Sequence, residues 1–314
     1  MDQYLVSKMY TNNFIFQNMF ARGVNLEEIK IENCRSAEPT FATSLLQLES
    51  VRVLKYRGCY GNMIHYLDNN NLSLLGRMKG LVKLDLSFNV SVNRNLIYEL
   101  SSNCDSLAHL NLTCCQGEPF IDDDCLHKLV PMKNLKYLNL SYTCEITDAG
   151  LMHLSRIKSL EVLELVGIAY DRLTHVGALM LVKDLPNLTK LDLSGNGGIN
   201  DFFFNQLEPL GLRRETPLEI NLGKTNIPLD DISDASCFGN IRISVRRTCQ
   251  TRFRYDRATF YVGGFLPDPE IVFEVESEPE FEDFEDEIEN DGIFGIAGNW
   301  SGEILVRHYD NEDW

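Results

Sequence analysis

The amino-acid sequence predicts an α/β solenoid, a stack of short parallel strands joined by helices. Three observations carry this. The pattern L-x-x-L-x-L recurs along the chain, most clearly at Leu135, Leu138 and Leu140 within LKYLNLSYTCEITDAGL, Leu135 to Leu151. Apolar positions two apart describe a strand with one buried face. The copies begin at near-regular intervals, and between them apolar residues fall three and four apart, the spacing of one helix face.

Taken in order, the strand copies are Leu26, Ile29 and Ile31 before Cys34; Val51, Leu54 and Tyr56 before Cys59; Leu81, Leu84 and Leu86 before Asn89; Leu107, Leu110 and Leu112 before Cys115. The Leu135 copy precedes Thr143. Then come Leu160, Leu163 and Leu165 before Ile168, and Leu188, Leu191 and Leu193 before Asn196. A degenerate copy at Pro217, Ile220 and Leu222 precedes Thr225, and a fainter one sits at Ile243 and Val245. Successive starts lie 25, 30, 26, 28, 25, 28 and 29 residues apart, near the upper end of the roughly 20–29 residues of leucine-rich repeats. The expected fold is therefore an α/β leucine-rich-repeat solenoid (horseshoe) of about eight repeats, with a helix on the convex side of most. Helices are predicted at Asn95–Asn103, Asp123–Leu129, Asp148–Ile157, His175–Lys183 and Phe202–Leu210. Thr147 or Asp148 is placed to cap its helix by accepting a backbone N–H.

The flanks differ from the repeats. Residues 1–23 match no repeat, and their apolar residues predict a helical or irregular N-terminal cap over the first core edge. The repeat domain is expected over 24–249 and a C-terminal cap over 250–265. Ile241, Ile243 and Val245 alternate as edge strands closing the solenoid, within a stretch holding Arg242, Arg246, Arg247, Arg252, Arg254 and Arg257. From 266 to 314 the chain carries 17 acidic residues and one arginine, whereas the remaining 265 residues hold 29 acidic and 28 basic. The net charge of −17 thus belongs almost wholly to the tail, which is expected to be disordered or loosely docked, because like charges repel and ordering them costs entropy. Phe281, Phe284 and Ile288 fall at i, i+3 and i+7 in that tail, the spacing of an amphipathic binding helix, and Trp300 is a candidate anchor. The arginine stretch is expected to pair with tail carboxylates or to face water, and nucleic acid is not its expected ligand.

No run of 18 apolar residues occurs, and the N-terminal stretch lacks a basic segment followed by a continuous apolar one, so neither a transmembrane helix nor a secretory signal is expected. Nine cysteines without a paired framework fit a reducing compartment, cytoplasmic or nuclear. Cys34, Cys59 and Cys115 occupy equivalent repeat positions and are expected to be buried thiols, with Cys114 at the surface. No zinc-type spacing is present. Asp122–Asp124 lacks the alternation and distal glutamate of a calcium loop and reads as helix-start carboxylates. Gly195, Gly197 and Gly198 are followed by no Lys-Ser/Thr and read as a turn. No metal or cofactor is expected.

The phrase C-x-I-T-D-x-G-L, carried by Cys144, Ile146, Thr147, Asp148, Gly150 and Leu151, resembles the cysteine-containing class of leucine-rich repeats. That class is familiar from F-box/leucine-rich-repeat substrate receptors of cullin-type ubiquitin ligases. A weaker echo is Cys115 with Ile121, Asp122 and Leu126. The resemblance spans about Val24 to Thr225. It implies a horseshoe that presents a substrate on its concave side, in the company of a cullin-ligase component. No F-box is legible, and Ser44–Leu54 begins S-L-L without the cysteine of an elongin-binding box. The acidic tail also resembles that of acidic leucine-rich nuclear phosphoproteins, which implies binding of basic proteins such as histones.

Strand residues between the core positions must point to the opposite face. Between the last two core positions stand Lys30, Lys55, Asp85, Asn111, Asn139, Glu164, Asp192 and Asn221; between the first two stand Glu28, Val53, Lys83, His109, Tyr137, Val162, Lys190 and Glu219. With strands about 4.8 Å apart, eight of them line a surface roughly 35 Å long. The candidate partner-binding residues are Lys55, Lys83, Asp85, His109, Asn111, Tyr137, Asn139, Glu164, Lys190 and Asp192, with Tyr137 beside His109 as an amphipathic anchor. His109 has no patterned nucleophile to serve, so no catalytic residue and no enzyme is expected. The expected function is non-catalytic protein recognition, as a substrate-recognition or adaptor subunit in a ubiquitin-ligase context. The alternative is a binder or chaperone of basic nuclear proteins through the tail.

Overall fold

The computed structural model describes residues 4–7, 26–32, 41–58, 70–89, 91–115, 117–143, 145–168, 172–227, 237–245 and 303–307. The described residues all belong to one compact unit within 1–245 and 300–314, and residues 246–299 lie outside the described residues. Also outside them are the predicted cap 250–265, Arg246 to Arg257, Phe281, Phe284, Ile288 and Trp300, and the thiols of Cys34, Cys59 and Cys144.

The repeats form one parallel array. Its strands are β2 (Glu28–Glu32), β3 (Val53–Arg57), β4 (Lys83–Asp85), β5 (His109–Asn111), β6 (Tyr137–Asn139), β7 (Val162–Glu164), β8 (Lys190–Asp192) and β9 (Leu218–Asn221). Each pairs in parallel with the next, so that Leu54, Leu84, Leu110, Leu138, Leu163, Leu191 and Ile220 lie in one continuous register. All seven side chains are fully buried. The outer core leucines of each copy, such as Leu135 with Leu140 and Leu188 with Leu193, are equally buried. A repeat has too little apolar surface to enclose its own leucines, and stacking supplies the rest.

Both ends of the array are closed by antiparallel strands. β11 (Ile241–Ser244) continues it in parallel beside β9, as the alternation of Ile241 and Ile243 predicts, and β10 (Cys237–Phe238) turns back against β11. At the other end β12 (Glu303–Arg307) runs antiparallel to β2, and β1 (Tyr4–Ser7) antiparallel to β12. The expected helical or irregular N-terminal cap thus contributes a strand in its described part, and a short segment of the expected tail joins the sheet.

Helices occupy the return of each repeat: α1 (Phe41–Leu45), α2 (Asn70–Ser73), α3 (Arg94–Asn103), α4 (Asp123–Leu126), α5 (Asp148–Leu154), α6 (His175–Asp184), α7 (Asp201–Asn205) and α8 (Leu207–Gly211). The predicted helix Asp123–Leu129 becomes a single α-turn followed by a 3₁₀ turn, His127–Leu129. The predicted Phe202–Leu210 splits in two, because Pro209 has no N–H to give the Asn205 carbonyl and its ring crowds that oxygen. Asn93, Asp122, Thr147, Thr174 and Asn200 each accept a backbone N–H from the first turn of α3 to α7, so the cap predicted at Thr147 recurs down the stack.

The I-T-D-A-G-L phrase has a physical reading. The Asp148 carboxylate accepts from the backbone N–H of Thr174, the cap of the next helix, at 2.9 Å, and from its hydroxyl at 2.5 Å. Asp123 holds Thr147 in the same way, at 2.8 and 2.6 Å. Gly150 and Gly177 lie under these carboxylates, and a Cβ at either would fall on Asp123 or Asp148. Threonine caps a helix, aspartate grips the next cap, and glycine makes room for the preceding aspartate. The chain direction reverses after each strand through a residue of positive φ: Gly58, Phe88, Cys114, Tyr142, Gly167, Gly195 and Lys224. Each stands three positions after its inner-row strand residue.

At five of these turns the residue directly after the positive-φ position forms a hydrogen-bonding ladder. Asn89 donates to the carbonyls of Tyr56 and Leu86, Asn196 to those of Leu165 and Leu193, Cys115 to that of Leu86, Thr143 to that of Leu140 and Thr225 to that of Leu222. Cys115 is buried as predicted, and Cys114 is half-exposed.

Candidate functional site

The sheet face away from the buried leucines carries both rows foreseen from the alternation. Register places Lys83, His109, Tyr137, Val162, Lys190 and Glu219 side by side on consecutive strands, and Lys55, Asp85, Asn111, Asn139, Glu164, Asp192 and Asn221 likewise. The two rows are knitted together by specific contacts.

His109 and Tyr137 stack at their centre, ring centroids 3.9 Å apart and planes 4° from parallel. Because the stack bridges neighbouring strands, both rings stand up from the sheet and offer their edges outward. The Tyr137 hydroxyl donates to Glu164 Oε2 at 3.1 Å, and the Asn139 amide donates to the same oxygen at 2.6 Å. Lys190 Nζ reaches Glu164 Oε1 at 2.9 Å. Glu164 thus gathers three donors from the two strands that flank β7. Burial, then the nearby Glu164 charge, pushes the Tyr137 phenol above its ordinary range, so it stays protonated and donates. Burial opposes the charge on Lys190, and the bond to Glu164 together with the attraction of the Glu164, Asp192 and Glu219 charges outweighs it, raising its pKa. Burial also lowers the His109 pKa, with Asp85 acting the other way and Lys83 and Lys55 adding to the depression.

The remaining candidates divide by exposure. Lys55 pairs with buried Glu28 at 3.0 Å, and Arg57 with Asp85 at 3.5 Å. Asp85 also accepts from the Ser87 backbone N–H and hydroxyl, and Asn111 accepts from those of Thr113. Asn139 is only 7 % exposed and Asp192 only 2 %. Asp192 accepts from the Ser194 hydroxyl and from Asn221. Both residues therefore bond to neighbouring residues of the sheet and hold the face in place. Lys83 is exposed. Sequence reasoning missed Arg57 and Ser87; strand alternation continued two residues past Lys55 and Asp85 would have found them.

Asp122–Asp124 serves helix ends, as the helix-start reading expects. Asp122 caps α4 and pairs with Arg94 at 2.7 Å, while Asp123 holds Thr147. No cluster of three or more His, Cys, Asp or Glu side chains suited to a metal occurs among the described residues. No helix among them is long and apolar enough to cross a membrane.

Known proteins match this architecture. The family model described as Leucine Rich repeat matches residues 132–155 and 184–202, the copies around β6 and β8. A solved structure, the Rad7 and Elc1 complex of yeast, contains a chain that superposes with a TM-score of 0.50 at 18% identity, covering 66% of this chain and 51% of that one. The described residues adopt a leucine-rich-repeat-type α/β fold. A curated relative, Putative RNA-binding protein EEED8.10 of Caenorhabditis elegans, is 23% identical over 194 residues, which are 62% of this chain and 26% of that protein. The chain therefore spans about a quarter of the relative's length and about half of the solved chain's.

Proposed function

We propose that the chain is a non-catalytic recognition scaffold that binds a protein partner on the strand face of β4 to β8, as a substrate-recognition or adaptor subunit in a ubiquitin-ligase context. The observation that carries this is the stacked His109–Tyr137 pair, preorganised by Glu164, Asn139 and Lys190. Two rings locked before binding lose little conformational freedom when a partner arrives, which is what makes aromatic anchors effective. The ligase context rests on the repeat phrase around Asp148 and on the likeness of fold to Rad7, solved in complex with Elc1, and is an analogy of architecture.

RNA binding is a second reading, favoured by the name of the curated relative. Against it, Lys55, Arg57 and Lys190 on the strand face each already face a carboxylate, which leaves few cations there for the several phosphate contacts such binding needs. Binding of basic proteins through the acidic tail concerns residues outside those described. Affinity purification of the full chain and of a His109→Ala/Tyr137→Ala variant, followed by mass spectrometry, tests the main reading. A cullin-ligase component should be recovered, together with a further protein lost in the variant. Recovery of histones alone, or of one set of proteins by both baits, would overturn it.

A further inference from the structure

Building on the strand-face reading, we infer that the partner presents an extended segment with a carboxylate two residues from an aromatic side chain, the acid meeting Lys83 and the ring seated on the His109–Tyr137 stack. The charges on the face select the acid. Lys55, Arg57 and Lys190 are paired with Glu28, Asp85 and Glu164. Lys83 is exposed and has no carboxylate partner among the described residues. Along β3 to β8 it is the described cation left for an incoming anion; Arg242, exposed on β11 in register with Glu219, lies at the far end of the array. On β7 to β9 the face carries Glu164, Asp192 and Glu219 against Lys190, so the same anion is repelled there, and the segment is oriented with its acidic end over β4.

The geometry selects the aromatic group and the spacing. Edges of aromatic rings carry the positive part of the ring quadrupole, and they attract the negative face of a third ring laid across them. A guanidinium presented to those edges would meet positive charge there and at Lys83, so arginine is disfavoured. Lys83, His109 and Tyr137 are consecutive in one row across three strands. With strands about 4.8 Å apart, the middle of the stack lies about 7 Å from Lys83, close to the roughly 6.8 Å between residues i and i+2 of an extended chain. A segment crossing the strands with acid–x–aromatic thus places both groups at once.

A random peptide display library selected on the immobilised full chain, with counter-selection on Tyr137→Ala, reads this directly. Peptides enriched for Asp or Glu two positions from Phe, Tyr or Trp are expected. For one synthesised winner, Tyr137→Ala should weaken binding about tenfold or more. Lys83→Glu, an exposed change whose folding is checked by circular dichroism, should weaken it roughly fivefold, and a lysine replacing the peptide's acid should restore it. Peptides that need Tyr137 but lack the acid would overturn this inference and leave the strand-face reading intact. Absence of any Tyr137-dependent peptide, or single-stranded RNA binding abolished by Lys83→Glu without peptide enrichment, would overturn both.

Discussion

The His109 imidazole shows how one residue's surroundings become a measurable property. Burial favours the neutral ring, so the folded chain binds fewer protons near pH 6 than the unfolded chain does. The sign follows: His109 costs no stability well above the ordinary value of about 6.5, and stability is lost as the pH falls from there through the lower folded value. NMR titration of the His109 ring should give a midpoint below 6.5, and His109→Gln should flatten the fall in melting temperature between neutral and mildly acidic pH. A midpoint at or above the ordinary value would refute the assignment. The thiols offer a second expectation. Burial pushes Cys104 and Cys125 up to about 12 and Cys115 higher still, while Cys237 is exposed. Because the thiolate is the nucleophile, a disulfide reagent should modify Cys237 first among the described thiols, and mass spectrometry should find Cys104, Cys115 and Cys125 untouched until denaturant is added. At this scale the sequence was readable wherever alternation alone sets a side chain's direction, as for Tyr137 and Lys83. It was silent on Asn139 and Asp192, whose burial depends on Glu164 and Asn221 arriving from neighbouring strands.

Within an element, the repeat phrase makes its own predictions. Alanine is a better helix former than glycine by about 1 kcal/mol, so Gly150→Ala on an open helix would stabilise. Here the new Cβ would fall on the Asp123 carboxylate and come within 2.9 Å of Leu126 Cδ1, and the variant is expected to lose about 1–3 kcal/mol in chemical denaturation, as overpacking does. Asp123→Ala removes the obstacle along with the grip on Thr147. The double variant should therefore be less destabilised than the two single changes together; strict additivity would deny the contact. The turn after each strand gives the opposite expectation. Lys224 is exposed and holds φ at 55°, a conformation that costs an L-residue about 1–2 kcal/mol relative to glycine. Gly58, Gly167 and Gly195 occupy the equivalent turns without that cost. Lys224→Gly should raise the midpoint of unfolding, by at most about 1 kcal/mol since glycine also gains unfolded-state entropy. An unchanged or lowered midpoint would show that the turn is not strained there. Both the helix starts and the caps were legible from local spacing. The break at Pro209 was legible as well, but only by weighing the missing N–H above the apolar spacing of Leu207 and Leu210.

For the molecule as a whole, the order β1-β12-β2 through β9-β11-β10 puts an antiparallel strand at each end of the parallel array. A parallel array of repeats has two open edges, each a row of unpaired backbone groups that invites another chain. At the β9 end the answer is local, since β10 and β11 are neighbours in sequence, and alternation at Ile241 and Ile243 announced it. At the β2 end the answer comes from the far end of the chain, through β12, and no pattern within 24–249 could reveal a pairing made some 270 residues away in sequence. The physical consequence is that loss of β12 leaves the β2 edge to solvent, with β1 deprived of its neighbour too. Deletion of residues 303–314 is therefore expected to lower the melting temperature and to produce concentration-dependent association in light scattering, while a denaturant-sensitive probe at Cys237, at the opposite end, keeps its wild-type protection at low denaturant because each repeat depends mainly on its neighbours. A deletion variant that stays monomeric at wild-type stability would place the closure of the β2 edge elsewhere. If instead protection falls equally at both ends, the array unfolds as one cooperative body, with coupling between repeats strong enough to carry the loss of a single edge strand across the whole sheet.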